Sequence, residues 1–184
     1  MARRSGRDWH GRRVSHQRSV QSPTNMEGIM RPSRDQWAME MAAITAGRST
    51  CLRRHVGAVL LDPRGHVIAT GYNGVAAGLK HCNEYHTEFS EFIDACPGAK
   101  SPSGTNLDGC EAIHAEQNAL LQCSNVHTIS TCYATTSPCI TCVKLLLNTS
   151  CRRIVFYEQY PHIESQKLWE KANREWTQYP QYRR

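Results

Sequence analysis

Two short runs, His114-Ala115-Glu116 and Pro138-Cys139-Ile140-Thr141-Cys142, constrain this chain more than anything else in it. Together they offer one imidazole and two thiols, donors that zinc takes readily, and leave a carboxylate beside them. Structural zinc sites close with four protein ligands, whereas catalytic ones hold three and leave the fourth position to water. The set therefore reads as a catalytic zinc site, with His114, Cys139 and Cys142 as ligands and Glu116 as the group that moves protons. A C-x-x-C pair alone is equally a structural zinc knuckle or a redox dithiol. Neither has a use for Glu116, and a dithiol does not need His114.

The spacing suits two helices separated by one strand. Ile113 to Gln122 reads as a helix, with Ala115, Ala119 and Leu120 for packing. Pro138 suits a first turn, where its missing N–H is not needed, so a second helix is predicted from Pro138 to Leu147. Thr131 to Thr136 reads as the intervening strand, which lets two helix starts converge with their exposed N–H groups near the thiols.

Upstream, Ser33 can cap a helix from Arg34 to Gly47, with Trp37, Met41 and Ile44 at helical spacing. Val56 to Leu61 and Val67 to Tyr72 read as paired strands around the turn Asp62-Pro63-Arg64-Gly65. No periodicity organises residues 75–110, which read as an inserted loop. Arg153 to Tyr157 is predicted as a strand and Ile163 to Glu175 as a last helix. The order implies an α/β domain whose central sheet is covered on both sides.

The charge is placed unevenly. Residues 1–34 hold eight arginines against Asp8 and Glu27, a net +6 that equals the whole chain's, so residues 35–184 are neutral. The folded part is not a basic platform for nucleic acid. Residues 1–32 read as a basic, disordered tail, touching nucleic acid weakly at most, with an organelle transit peptide or translated leader as the alternatives. Residues 33–184 then form one domain. No apolar run reaches membrane-spanning length and no segment has the order of a secretory signal, so a cytoplasmic protein is expected. Nine cysteines, an odd count with metal-like spacing, point to a reducing compartment and not to a disulfide framework.

Cys82, Cys96 and Cys110 lie in the long loop with His81 or His86 as a fourth donor, a set suited to a second, structural zinc. Ordinary free thiols are the alternative. Cys51, Cys123, Cys132 and Cys151 sit in apolar surroundings and read as small core residues.

Several blocks resemble one family. They are Arg48-Ser49-Thr50-Cys51-Leu52-Arg53-Arg54-His55-Val56-Gly57-Ala58-Val59, then Gly71-Tyr72-Asn73-Gly74, His81-Cys82, and His114-Ala115-Glu116-Gln117-Asn118-Ala119, with the Pro138-Cys139 run after them. In this order, over roughly Trp37 to Tyr160, they resemble the deoxycytidylate deaminases of the cytidine deaminase-like superfamily, especially the bacterial and phage branch with late-competence ComEB-type proteins. The resemblance implies a three-layer cytidine deaminase-like fold, a central mixed sheet flanked by helices. It implies hydrolytic deamination of dCMP to dUMP with release of ammonia, Glu116 shuttling the protons. It further implies that Asn73 contacts the sugar and that backbone groups near Ala115 and Ser137 hold the cytosine edge. For the substrate phosphate Arg48, with Ser49 beside it, is the expected partner; Arg53 and Arg54 are weaker candidates. Homo-oligomers such as hexamers, with dCTP and dTTP as effectors and Mg2+ accompanying those nucleotides, also come with the family. One departure is Ala76, where the family's loop commonly has proline.

Two other readings share parts of this pattern. A tRNA adenosine or DNA/RNA cytidine deaminase would use the same metal set, but the neutral folded part and 8% aromatic content offer little stacking surface. A non-catalytic DNA-uptake or binding module would have no need of Glu116.

Overall fold

The structure, a computed structural model, describes residues 31–82, 96–102, 104–106, 109–161 and 163–180. The tail to residue 30 and His86 lie outside the described residues.

Helix α1 (Arg34–Ala46) starts on Ser33, whose hydroxyl accepts from the Gln36 N–H at 3.1 Å. Strands β1 (Gly57–Leu61) and β2 (Val67–Tyr72) form an antiparallel hairpin. Its turn closes by the Gly65 N–H donating to the Asp62 carbonyl, while the Asp62 carboxylate accepts from the His66 N–H. Gly65 sits at φ +90°, where a side chain would be strained. Short strand β3 (Gly74–Val75) pairs with β4 (Ala112–Ile113), and α2 (Ala115–Gln122) follows. Then come β5 (Thr131–Thr136), α3 (Ile140–Leu147), β6 (Arg153–Glu158), α4 (Glu164–Lys171) and β7 (Glu175–Gln178).

The main sheet runs β2-β1-β5-β6-β7. The first three strands pair antiparallel and the last three parallel, so the sheet is mixed. Alternation along β1 sends Ala58 and Leu60 into a core with α2, α3 and Trp169 of α4, and Val59 and Leu61 into one with α1. Both faces being covered explains why every residue of β1 is buried. The three-layer α/β fold expected from the sequence is the one observed.

Four expectations are corrected. First, α1 does not bury Trp37 and Ile44, which are 39% and 77% exposed; Ala38, Met39, Ala42 and Ala46 face the sheet instead. The small residues let the helix settle on Gly57, where a Cβ would lie 2.1 Å from the Ala42 carbonyl oxygen. Second, α2 begins at Ala115 and not Ile113, because Ala112 and Ile113 pair with β3. Third, α3 begins at Ile140 and not Pro138, since Cys139 has the extended backbone of an N-cap. Fourth, the last helix ends at Lys171; Asn173 turns through φ +56° and residues 175–178 form β7 beside β6.

Candidate metal centre and its cavity

The site lies beyond the carboxyl end of β5, where α2 and α3 both start, the usual place for ligands in open α/β sheets. His114 is the N-cap of α2 and Cys139 the N-cap of α3, so both side chains stand at helix starts. The Gln117 side chain locks the first of these by accepting from the His114 N–H at 2.9 Å.

His114 Nδ1 is 3.3 Å from Cys139 Sγ and 3.4 Å from Cys142 Sγ. Tetrahedral zinc with bonds of about 2.0–2.3 Å separates neighbouring donors by about 3.5 Å, so these spacings fit the metal. Among the described residues, this is the one group of three or more His, Cys, Asp or Glu whose donor atoms all lie within 4.8 Å of each other.

The protons at this cluster are set by the neighbours. The Cys139 thiol is pulled down to about 4, first by a hydrogen bond from Cys142 and then by His114, while burial opposes. Cys142 is raised, by sharing that bond and by burial. The two sulfurs thus hold one proton between them, and one already has thiolate character. His114 is raised, chiefly by its bond with Cys139. Glu116, in the first turn of α2 and only 4% exposed, is pushed up to about 7 by burial, against the opposing pull of His114. A carboxyl poised there takes and gives protons near neutral pH.

One cavity holds the cluster and Glu116, walled by Val56, Asn73, Ala112, Ala115, Thr136 and Ser137, with Arg53, Arg54, Gly104 and Tyr160 around it. Asn73 braces its wall: Oδ1 accepts from the Val56 N–H and Nδ2 donates to the Arg54 carbonyl, both at 2.8 Å. The Ser137 N–H donates to the Glu158 carbonyl, and its hydroxyl accepts from the Tyr160 N–H. Arg48 and Ser49 do not line the cavity. The Arg48 guanidinium lies 5.9 Å from the centre of the Tyr72 ring, and the buried Ser49 hydroxyl accepts from the Cys51 N–H. Arg53 and Arg54 line it instead, five and six residues farther along the chain than Arg48.

Tyr160 was missed by the sequence reading. Its signal was its place just past β6, since β5 and β6 run parallel and share a rim at their carboxyl ends.

A second cluster forms in part. Cys82 and Cys96, both buried, approach to 3.7 Å between sulfurs. Burial and then Cys96 push the Cys82 thiol up to about 12, with Cys51 and Cys110 near enough to add to the effect. Cys51, read from sequence as core, is buried, and it also lines the cavity. His81 instead pairs its Nδ1 with the Thr50 hydroxyl at 3.1 Å.

The model of the cytidine and deoxycytidylate deaminase zinc-binding region matches residues 32–158. The chain is 41% identical over 135 residues to the deoxycytidylate deaminase of Schizosaccharomyces pombe, covering 71% of this chain and 38% of that protein. It is 38% identical over 129 residues to the deoxycytidylate deaminase of Mycobacterium phage D29, covering 70% of this chain and 97% of the phage protein. It spans about four tenths of the length of the two yeast relatives it matches, 38% and 41%. Among solved structures, the dCMP deaminase of cyanophage S-TIM5, in complex with dCMP and dUMP, shares the fold. Its TM-score is 0.61 at 23% identity, over 82% of this chain and 99% of that one.

Proposed function

The chain belongs to the cytidine and deoxycytidylate deaminase zinc-binding family, and on that premise we propose that it hydrolyses dCMP to dUMP and ammonia. The observation that carries this is the pairing, in one cavity, of the His114/Cys139/Cys142 donor set with a Glu116 carboxyl held near neutrality. Zinc held by those three donors would supply a water whose pKa is lowered to about 7.

The protein's own groups do the rest. Glu116 takes a proton from the water that bonds to C4 and passes it to ring N3 of cytosine; it then moves the remaining hydroxyl proton to the amine, so that the C4–N bond breaks, ammonia leaves and the C4 carbonyl of uracil forms. Asn73 retains one N–H and a carbonyl lone pair beyond its two backbone bonds, enough to meet the sugar. Ala115 and Ser137 border the same cavity, which supports a role for their backbone in holding the cytosine edge; with the Ser137 N–H given to the Glu158 carbonyl, its carbonyl would serve.

The reading extends to a second, structural zinc at Cys82 and Cys96, with Cys51 and Cys110 beside them. The approach of the Cys82 and Cys96 sulfurs to 3.7 Å, with Cys51 and Cys110 near enough to push the Cys82 thiol up, supports it. dCTP and dTTP as effectors with Mg2+, a homo-oligomer and a cytoplasmic location rest on the family alone. No helix among the described residues is long and apolar enough to cross a membrane.

Ammonia release from deoxycytidine, dCMP and dCTP tests the proposal. dCMP should be turned over, and Glu116→Gln should lose about a hundredfold or more in rate while keeping its bound zinc. No turnover of dCMP, or an unchanged rate in the variant, rejects it.

A further inference from the structure

A polar side chain in a cavity wall serves either the wall or what the cavity holds, and hydrogen bonds tell the two apart. The Asn73 amide is bonded at both ends to backbone, and the Ser137 hydroxyl accepts from the Tyr160 N–H at 2.7 Å. Thr135, near the end of β5, accepts from the Gly57 N–H at 3.2 Å. These three bonds hold the wall together.

Thr136 is different. It lines the same cavity and is 5% exposed, yet its hydroxyl has no hydrogen-bond partner among the described residues. Alternation along β5 puts it on the face of Cys132, under α2 and α3, and away from the Tyr133 face that packs on α1. It stands at the carboxyl end of β5, where the helices that carry His114, Glu116 and Cys139 begin. A buried hydroxyl without a partner costs free energy that a valine of the same shape would avoid, so stability does not explain it. Such a group is kept where function asks for it.

Depth says which part of a ligand it meets. Thr136 lies three residues before the Cys139 donor and is nearly closed to solvent, so it faces the reacting end of the base and not the sugar or phosphate. At that end cytosine presents ring N3, which takes its proton from Glu116, and C5, a carbon that gives a hydroxyl nothing to bond. The 4-amino group remains, with two N–H donors of which the Ser137 carbonyl would take one.

Resting on the deamination reading above, we propose that the Thr136 hydroxyl accepts a hydrogen bond from the 4-amino group of cytosine and holds that nitrogen while it leaves as ammonia. The nitrogen gains positive charge when its last proton arrives, before the C4–N bond breaks, so its bond to the hydroxyl strengthens as the reaction proceeds. Thr136 thus acts on turnover more than on binding.

The test compares the wild type, Thr136→Val and Thr136→Ser, each with its zinc content and Tm measured. Two readouts are taken: steady-state turnover of dCMP, and calorimetric binding of the pyrimidin-2-one deoxyribonucleotide, which is dCMP without its amine. Thr136→Val should keep its zinc and hold or raise Tm, because the unpaired hydroxyl is gone. Its kcat for dCMP should fall about ten- to a hundredfold, the usual loss for a hydrogen bond to a charged group, with a smaller rise in KM. Binding of the amine-free nucleotide should change by less than about threefold. Thr136→Ser keeps the hydroxyl and should hold most of its kcat. A lower Tm or zinc content in Thr136→Val, an unchanged kcat, equal losses in dCMP turnover and in amine-free binding, or a Thr136→Ser as slow as Thr136→Val would overturn the inference while leaving the deaminase reading intact. A wild type inactive on dCMP would sink both.

Discussion

Gly71→Ala should damage catalysis far out of proportion to its size. Gly71 lies on β2 directly under the start of α2, and a Cβ there would fall 2.2 Å from the Ala115 carbonyl oxygen and 2.4 Å from the Ala119 nitrogen. Ordinary contacts are at about 3.5 Å, so helix and strand must separate by roughly 1 Å. Both obstacles are backbone, and α2 is also tied down by Asn118, whose Nδ2 donates to the Tyr72 carbonyl at 2.7 Å. Overpacking of this kind costs about 1–3 kcal/mol, which in a chain of this size lowers Tm by roughly 2–12 °C. Because α2 carries His114 at its cap and Glu116 in its first turn, the same shift misplaces the reacting groups, and kcat should fall about a hundredfold. Gly57→Ala is the control. Its Cβ would meet the Ala42 carbonyl oxygen at 2.1 Å and the Ala46 nitrogen at 2.5 Å, pushing on α1, which bears no cavity residue. It should lose similar Tm and keep most of its kcat. Thermal melts and dCMP turnover on both variants decide the matter. If Gly71→Ala melted early yet turned over normally, the seat of α2 on β2 would not be what fixes the site.

Two further outcomes follow from the same geometry. Chelation should abolish ammonia release and lower Tm, and zinc should restore both, because His114 and Cys139 cap the helices that the metal joins; Cys139→Ser should not recover. At the other end of the sheet, Arg153 grips Asp35 at 2.7 and 2.9 Å and Glu175 at 2.6 Å. That grip holds Asp35 below its ordinary 3.8 and, with Thr177, Glu175 below 4.5. Lowered carboxyl values stabilise the fold above the unfolded-state values and lose that effect as pH drops through the folded ones. Tm should therefore decline below about pH 4.5. Asp35→Asn should cost about 1–2 kcal/mol at pH 7, allowing for a pair one quarter exposed, and distinctly less at pH 3. Melting variant and wild type side by side cancels any metal loss common to both, and a pH-independent difference would contradict the argument.

Where the sequence reading held, the signal was local. Ser33 caps α1 because a hydroxyl before a helical run has a nearby N–H to meet, and the Asp62 to Gly65 turn needs only its own four residues. β5 ran from Thr131 to Thr136 as read, and His114, Cys139 and Cys142 do converge. The helix starts were misplaced because His114 and Cys139 serve as caps, with extended backbone, and residue type alone does not tell a cap from a first turn. α1 offered two stripes of helical period. Only contact with Gly57 selects the alanines over Trp37 and Ile44.

The donor set and the carboxylate beside it were thus legible in the chain's chemistry, since metal affinity follows from donor atoms and a motif carries its donors with it. What only the folded molecule decided is distance and dielectric. Burial lifts Glu116 toward neutrality, and Cys51 joins thiols more than thirty residues away. Arg53 and Arg54 line the cavity in place of Arg48 because the chain turns between them, with Ser49 bonded to Cys51 and Thr50 to His81. Such effects depend on which surfaces tertiary packing removes from water, and no pattern of residue types along a strand or helix records that.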